Sequence, residues 1–168
     1  MNIEKKIANL SGLKSVDDWL AHANPWSVWS RFISLPFIIL AIWSRVWIGY
    51  YSWVPIIILF IWIAINPKLF SKTNSTDNWA SKAVLGEMIW TRRGEIPVPE
   101  RHQSMIRILT LLQVVGGAFL FFGLYQLHFW STLTGTILVY VAKMWFLDRM
   151  VWIFEDMKHH EEYNRLLY

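Results

Sequence analysis

The stretch "EDMKHH", residues 155–160, sets carboxylates and imidazoles four apart: Glu155 with His159, and Asp156 with His160. On an α-helix residues four apart share a face. Mixed nitrogen and oxygen donors at that spacing suit a divalent ion such as Zn, Fe or Mn. Helical phase also aligns Asp148 with Glu155 and His159, and Arg149 with Asp156 and His160. A complete site needs further ligands, and His22 and His102 are the candidates. The competing reading is a solvated helix end with weak ion pairing, the commoner fate of such residues. No cofactor is expected beyond a divalent metal at this set.

Three other residues could do chemistry. Asp148 stands where a long apolar run ends, and a carboxylate there needs a partner. Arg31, near the inner end of an earlier apolar run, is the expected one. Glu87 falls on a helical wheel among Trp79, Ala80, Ala83 and Trp90. An acid on an aromatic face is costly unless paired, and Arg92, Arg93 or Arg107 are the expected partners. Held in apolar surroundings, such a carboxyl rises in pKa and can serve as a general acid or base. Asp148, Glu87 and Arg31 are therefore the catalytic candidates, each against a structural ion pair as the plainer role.

The elements that position these residues are apolar and long. The 168-residue chain is 55% hydrophobic, with a mean hydropathy of +0.32. Residues 108–142, 35 in all, contain no Asp, Glu, Lys or Arg, and neither do the 20 residues 46–65. A membrane span needs about 20 such residues. The expected fold is all-α: an integral membrane bundle of four transmembrane helices with a cytosolic cap of short amphipathic helices and an extended fourth helix. Its parts are an N-terminal segment 1–25, span one 26–45, span two 47–65, a loop 66–107 with a helix 76–90, span three 108–127, and span four 129–147 continuing to about 163.

Local signals set these boundaries. Ile3, Ile7 and Leu10 recur at helical spacing, and Ser15 with Asp18 forms a capping box. Asn24-Pro25 opens span one, Pro36 bends it, and "RVWIGYY" turns the chain into span two. Ser75 or Thr76 caps the loop helix, and prolines 97 and 99 forbid regular helix after it. Gly116, Gly117 and Gly123, with Ser131 and Gly135, predict close approach of spans three and four.

Charge gives the orientation. The 66–107 loop carries Lys68, Lys72, Lys82, Arg92, Arg93, Arg101 and Arg107, whereas the turn 126–130 carries none. Positive loops stay inside, so both termini and the long loop are expected in the cytosol, in a cell inner or plasma membrane. Tryptophan agrees with this. Trp26, Trp29, Trp62, Trp145 and Trp152 fall near the inner interface, and Trp43, Trp47, Trp53 and Trp130 near the outer one. Span one is short, with only 13 uncharged residues from Phe32 to Ser44, so a re-entrant hairpin over 26–65 is the alternative. No cleavable signal peptide is read in the polar first 24 residues.

"HANPWSVWSRF", "AIWSRVWIG", "NPKLF", "STDNWASKAVLGE" and "WFLDRMVWIFEDMK" together resemble a family of small multi-span bacterial and archaeal membrane proteins, a domain of unknown function. The resemblance covers about residues 20–158. It implies a membrane protein and carries no activity or site residue.

Other classes are excluded or unsupported. Cysteine is absent, which removes disulfides, thiolate ligands and cysteine nucleophiles. There is no phosphate-binding glycine loop, no serine nucleophile context and no internal repeat. Five histidines cannot make an eight-histidine membrane di-metal site. The expected role is a structural, assembly or lipid-interacting membrane component. The alternative is a small membrane enzyme or carrier acting on a lipid or hydrophobic substrate through the acid, His and Arg cluster at the cytosolic interface. Expected partners are the lipid bilayer and a membrane protein or a second copy of the chain, and not nucleic acid.

Overall fold

The computed structural model describes residues 12, 13 and 15–168, with the backbone alone at 67 and 68. The spacing of Ile3, Ile7 and Leu10 lies outside the described residues. Every described element is helical: α1 Val16–His22, α2 Pro25–Trp43, α3 Arg45–Ile48, a 3-10 turn Gly49–Ser52, α4 Trp53–Leu69, α5 Trp79–Thr91, a 3-10 turn Glu100–His102, α6 Gln103–Gln126, α7 Phe129–Met157 and a 3-10 turn Asn164–Leu166.

The caps explain where the first helices begin. Ser15 and Asp18 form the reciprocal box: the Asp18 amide donates to Ser15 Oγ at 3.1 Å and the Ser15 amide to Asp18 Oδ2 at 2.8 Å. Asn24 Oδ1 accepts from the Trp26 amide at 3.0 Å, and Pro25 fills the first helical position without wasting a donor. The cap of α5 differs from expectation. Asn78, not Ser75 or Thr76, accepts from the Ser81 amide, at 2.9 Å. Ser75 and Thr76 instead hold the C-terminal segment, with Thr76 Oγ1 donating to the Leu166 carbonyl at 2.6 Å and Ser75 Oγ to that of Tyr168 at 2.9 Å.

Pro36 removes a donor inside α2, which orphans the carbonyl four residues back, that of Phe32. The Tyr140 hydroxyl, from α7, donates to that carbonyl at 2.7 Å. The two helices are thereby joined at the point where α2 alone is deficient. Ser27 Oγ donates to Asn66 Oδ1 at 2.9 Å and Asn66 Nδ2 to Ser30 Oγ at 2.8 Å, so a buried polar clamp ties α2 to α4.

Helices α6 and α7 form a hairpin whose reversal puts Leu127 in the left-handed region at φ 53°. Their contact is nearly backbone on backbone. A Cβ on Gly123 would lie 2.3 Å from Thr132 N, and one on Gly135 would lie 2.2 Å from Leu120 N. A Cβ on Gly116 would lie 2.8 Å from the Leu138 Cβ and 3.0 Å from Val139 N, while Gly117 faces open space. The expected small-residue contact thus forms at three of the four glycines. Arg45 donates to the carbonyls of Leu124 and Tyr125 at the end of α6.

The 29 residues of α7 extend about 44 Å at 1.5 Å per residue. Its last turns leave the hairpin and enter a second core. There Met150, Ile153 and Phe154 pack with Leu85, Met88 and Ile89 of α5, with Trp19 and Leu20 of α1, and with Tyr163. Helix α5 is buried on nearly every side. It is the centre of the cap rather than the surface helix implied by its wheel. At Gly86 an added Cβ would stand 1.9 Å from the Met150 carbonyl oxygen, so α5 and α7 also touch backbone to backbone.

Outside the cap, apolar residues face outward. Phe37, Ile58, Val114 and Phe121 are 54%, 59%, 64% and 74% exposed. Two stretches are long and apolar enough to cross a membrane, Pro25–Asn66 and Glu100–Gln126. Only 6% and 17% of their apolar windows are buried, whereas the core helix of a soluble domain would be mostly covered.

Candidate functional site

Helices α2 and α7 run antiparallel along one flank. A cavity of about 260 Å³ is lined by Arg31 and Leu35 of α2 and by Lys143 and Val139 of α7. Val28, Val84 and Leu147, each buried, also line it. Two cap elements reach in: α1 supplies His22 and α5 supplies Glu87. Four ionisable side chains from four helices therefore meet in a mostly apolar pocket.

Their geometry is specific. Lys143 Nζ donates to Glu87 Oε1 at 2.8 Å and also lies 4.9 Å from the centre of the Phe146 ring. Arg31 Nε donates to the Ser27 carbonyl at 3.0 Å and its Nη2 to the His22 carbonyl at 3.3 Å. Arg31 Nη1 lies 2.5 Å from His22 Nε2 and 2.8 Å from His22 Nδ1. A guanidinium only donates, so the imidazole must accept and be neutral. Burial, then the charges of Arg31 and Lys143, push the His22 pKa down from 6.5 to about 3. His22 is thus an uncharged orienting group for Arg31 at physiological pH. Arg31, Lys143 and Glu87 leave the lining with one net positive charge.

Several expected partnerships are different. Arg31 is turned to His22 and the Ser27 carbonyl instead of Asp148, because the α1–α2 corner places His22 beside it. Asp148 receives the Trp79 indole N–H at 3.4 Å, and Trp79 stacks on Trp29 with centroids 5.7 Å apart. Glu87 pairs with Lys143 of α7 rather than with Arg92, Arg93 or Arg107. Arg92 is engaged by Glu162 at 3.1 Å. Of the catalytic candidates, Glu87 and Arg31 share the pocket and Asp148 stands outside its lining.

The metal-type set is dispersed. Helix α7 ends at Met157, not near 163, so His159 and His160 leave the columns of Glu155 and Asp156. The reason is packing: Tyr163, fully buried, and Leu166 fold back into the cap core and pull the chain off the helix axis. Glu155 is held between Lys158 at 2.6 Å and Lys82 at 2.8 Å, and their hydrogen bonds keep its pKa below the usual range. Asp156 accepts from Arg101 and faces His102 Nε2 at 2.6 Å. Burial works to raise the Asp156 carboxyl, but the hydrogen bonds from Arg101 and His102 outweigh it and hold it low. His22 belongs to the pocket. Among the described residues no three His, Asp or Glu side chains converge as a metal would require.

Sequence reasoning missed Lys143 and Tyr140 as pocket residues and took His22 for a ligand. The one available signal was Pro36, which leaves the Phe32 carbonyl needing a donor; it could not say that Tyr140 would supply it.

Fold and site define an all-helical protein with two stretches long and apolar enough to cross a membrane, and a charged pocket where the first of them and α7 meet a helical cap. The chain matches the family of unknown function DUF6653 over residues 2–166 and belongs to that family. No curated protein and no solved structure matches the chain.

Proposed function

We propose that this is an integral membrane protein of four spans that interacts with lipid through the interfacial pocket beneath its cap. One observation carries the reading. The pocket joins a cluster of charged, hydrogen-bonded side chains to an otherwise apolar lining, and its half-buried lining residues Phe32, Leu35 and Val139 border the exposed apolar flank. A lipid molecule has that same polarity.

Further features support four spans. The first apolar stretch, 42 residues long, is broken at residues 44–52, where Gly49 takes φ 55°, so α2 and α4 are separate helices of 19 and 17 residues. Helix α7 is long enough to cross about 30 Å of hydrocarbon and still build the cap. Trp47 and Trp130, 72% and 68% exposed, lie at the end of the bundle away from the cap, as an interfacial belt requires. The basic loop lies on the cap side, which makes that side cytosolic, with both termini there.

The test is an alkaline wash of membranes from expressing cells, followed by lipid analysis of the purified protein. The proposal expects the protein in the washed membrane fraction and a lipid profile enriched over the bulk membrane. Release by the wash refutes it. The convergence of Glu87, His22, Arg31 and Lys143 favours a second reading, an enzyme or carrier acting on the same lipid. Loss of a cellular phenotype in a stably folded Glu87→Gln variant that still retains lipid would favour that reading.

A further inference from the structure

We infer that the pocket selects a membrane amphiphile whose head carries one negative charge on two terminal oxygens, with its tail leaving between α2 and α7 past Phe32, Leu35 and Val139. The inference rests on the membrane reading above and adds the ligand class.

The charge of the lining sets the head. Arg31 and Lys143 contribute two positive charges and Glu87 removes one. His22 contributes none, because it accepts from Arg31. A buried or half-buried net charge is costly unless matched, and one anionic head matches it. The free donors set the number of oxygens. Arg31 has five N–H groups and uses one on the Ser27 carbonyl, one on the His22 ring and one on the His22 carbonyl. Lys143 has three and gives one to Glu87. Both side chains retain donors and line the same cavity from two different helices, an arrangement that a head with two acceptor oxygens bridges. Tyr140 adds no donor, since its hydroxyl is committed to the Phe32 carbonyl.

The apolar part is placed by burial. Val28, Val84 and Leu147 are 4%, 2% and 3% exposed and seal the cap side of the cavity. Phe32, Leu35 and Val139 are only half-buried and are the apolar part of the lining that opens toward the exposed flank of α2 and α7, which is the path for the tail. A carboxylate on a single chain and the phosphodiester of an anionic phospholipid both present this head.

The test is thermal unfolding of the purified full chain in an uncharged detergent, titrated with sub-micellar oleate or oleyl alcohol, and separately with phosphatidylglycerol or phosphatidylcholine. Stabilisation by oleate or by phosphatidylglycerol, without their uncharged or zwitterionic counterparts, is the expected result. The member that acts at lower concentration identifies the source of the head. Lys143→Gln makes the lining neutral and should weaken the effect at least tenfold. Glu87→Gln doubles the positive charge and should strengthen it, while Arg165→Gln, on an exposed cation away from the pocket, should leave it unchanged. Equal stabilisation by the counterparts, or no stabilisation by either anion, overturns the inference. Should Lys143→Gln fail to fold, Glu87→Gln still decides: unchanged or weaker binding there overturns it too. A protein that withstands the alkaline wash yet ignores head charge would sink this inference alone. One released by the wash would sink the membrane reading.

Discussion

Acidification should destabilise this protein through His22 well before Glu155 and Asp156 titrate. The ring faces Arg31 from α2, Lys143 from α7 and Glu87 from α5 across the cavity, and packs edge-on to Trp19 in its own helix at 6.1 Å. Burial and the two cations lower its pKa from 6.5 to about 3. The unfolded chain therefore binds a proton near 6.5 that the folded chain refuses, so stability is full above that value and declines as pH falls toward 3. Each pH unit below 6.5 is worth about 1.4 kcal/mol, which makes the loss between about pH 7 and about pH 5 roughly 2 kcal/mol. Glu155 and Asp156 have lowered pKa values and titrate below this window. The assay is unfolding in mixed micelles at the two pH values, followed by tryptophan fluorescence, on the wild type and on His22→Gln. The variant keeps every other histidine, so the difference between the two pH slopes isolates His22. Equal slopes would refute the reasoning, because they would mean that the ring is solvated or already charged in the folded state.

Tyr140→Phe should cost about 1–3 kcal/mol by orphaning the Phe32 carbonyl, and Pro36→Ala, which restores an N–H to that carbonyl, should recover part of the loss; additive effects in thermal unfolding would contradict this coupling. Gly123→Ala and Gly135→Ala should each destabilise the hairpin by about 1–3 kcal/mol because their Cβ atoms would collide with facing backbone, whereas Gly117→Ala should be tolerated. Asn66→Ala should cost about 1–2 kcal/mol by leaving the Ser27 and Ser30 hydroxyls without their partner between α2 and α4, measured by the same unfolding assay.

Much of the fold was legible because its signals are local. Asn24-Pro25 and Ser15 with Asp18 announce helix starts through chemistry within four residues, and the structure uses them as read. The glycines of α6 and α7 announce close approach because only small residues permit it, although Gly117 shows that the approaching face needs coordinates. The end of α7 was misjudged because nothing near Lys158 breaks a helix; what stops it is the burial of Tyr163 and Leu166 in a core built from α1, α5 and α7. The site failed for the same reason. Glu87 reads as an acid needing a cation, and the nearest arginines in sequence are its expected partners, but the cation is Lys143, 56 residues away. Pairing across a bundle depends on which helix faces meet, and a single sequence does not encode that locally.

Four membrane crossings with the cap and pocket inside, as proposed above, put the α6–α7 turn and the end of α7 on opposite sides of the membrane. The absence of native cysteine makes one measurement direct: label Gln126→Cys and His159→Cys variants in intact cells with a membrane-impermeant thiol reagent, then repeat after permeabilisation. Gln126→Cys should be labelled in intact cells, and His159→Cys only once the membrane is opened. Labelling of both positions from the same side, or recovery of both variants in the soluble fraction, would contradict it.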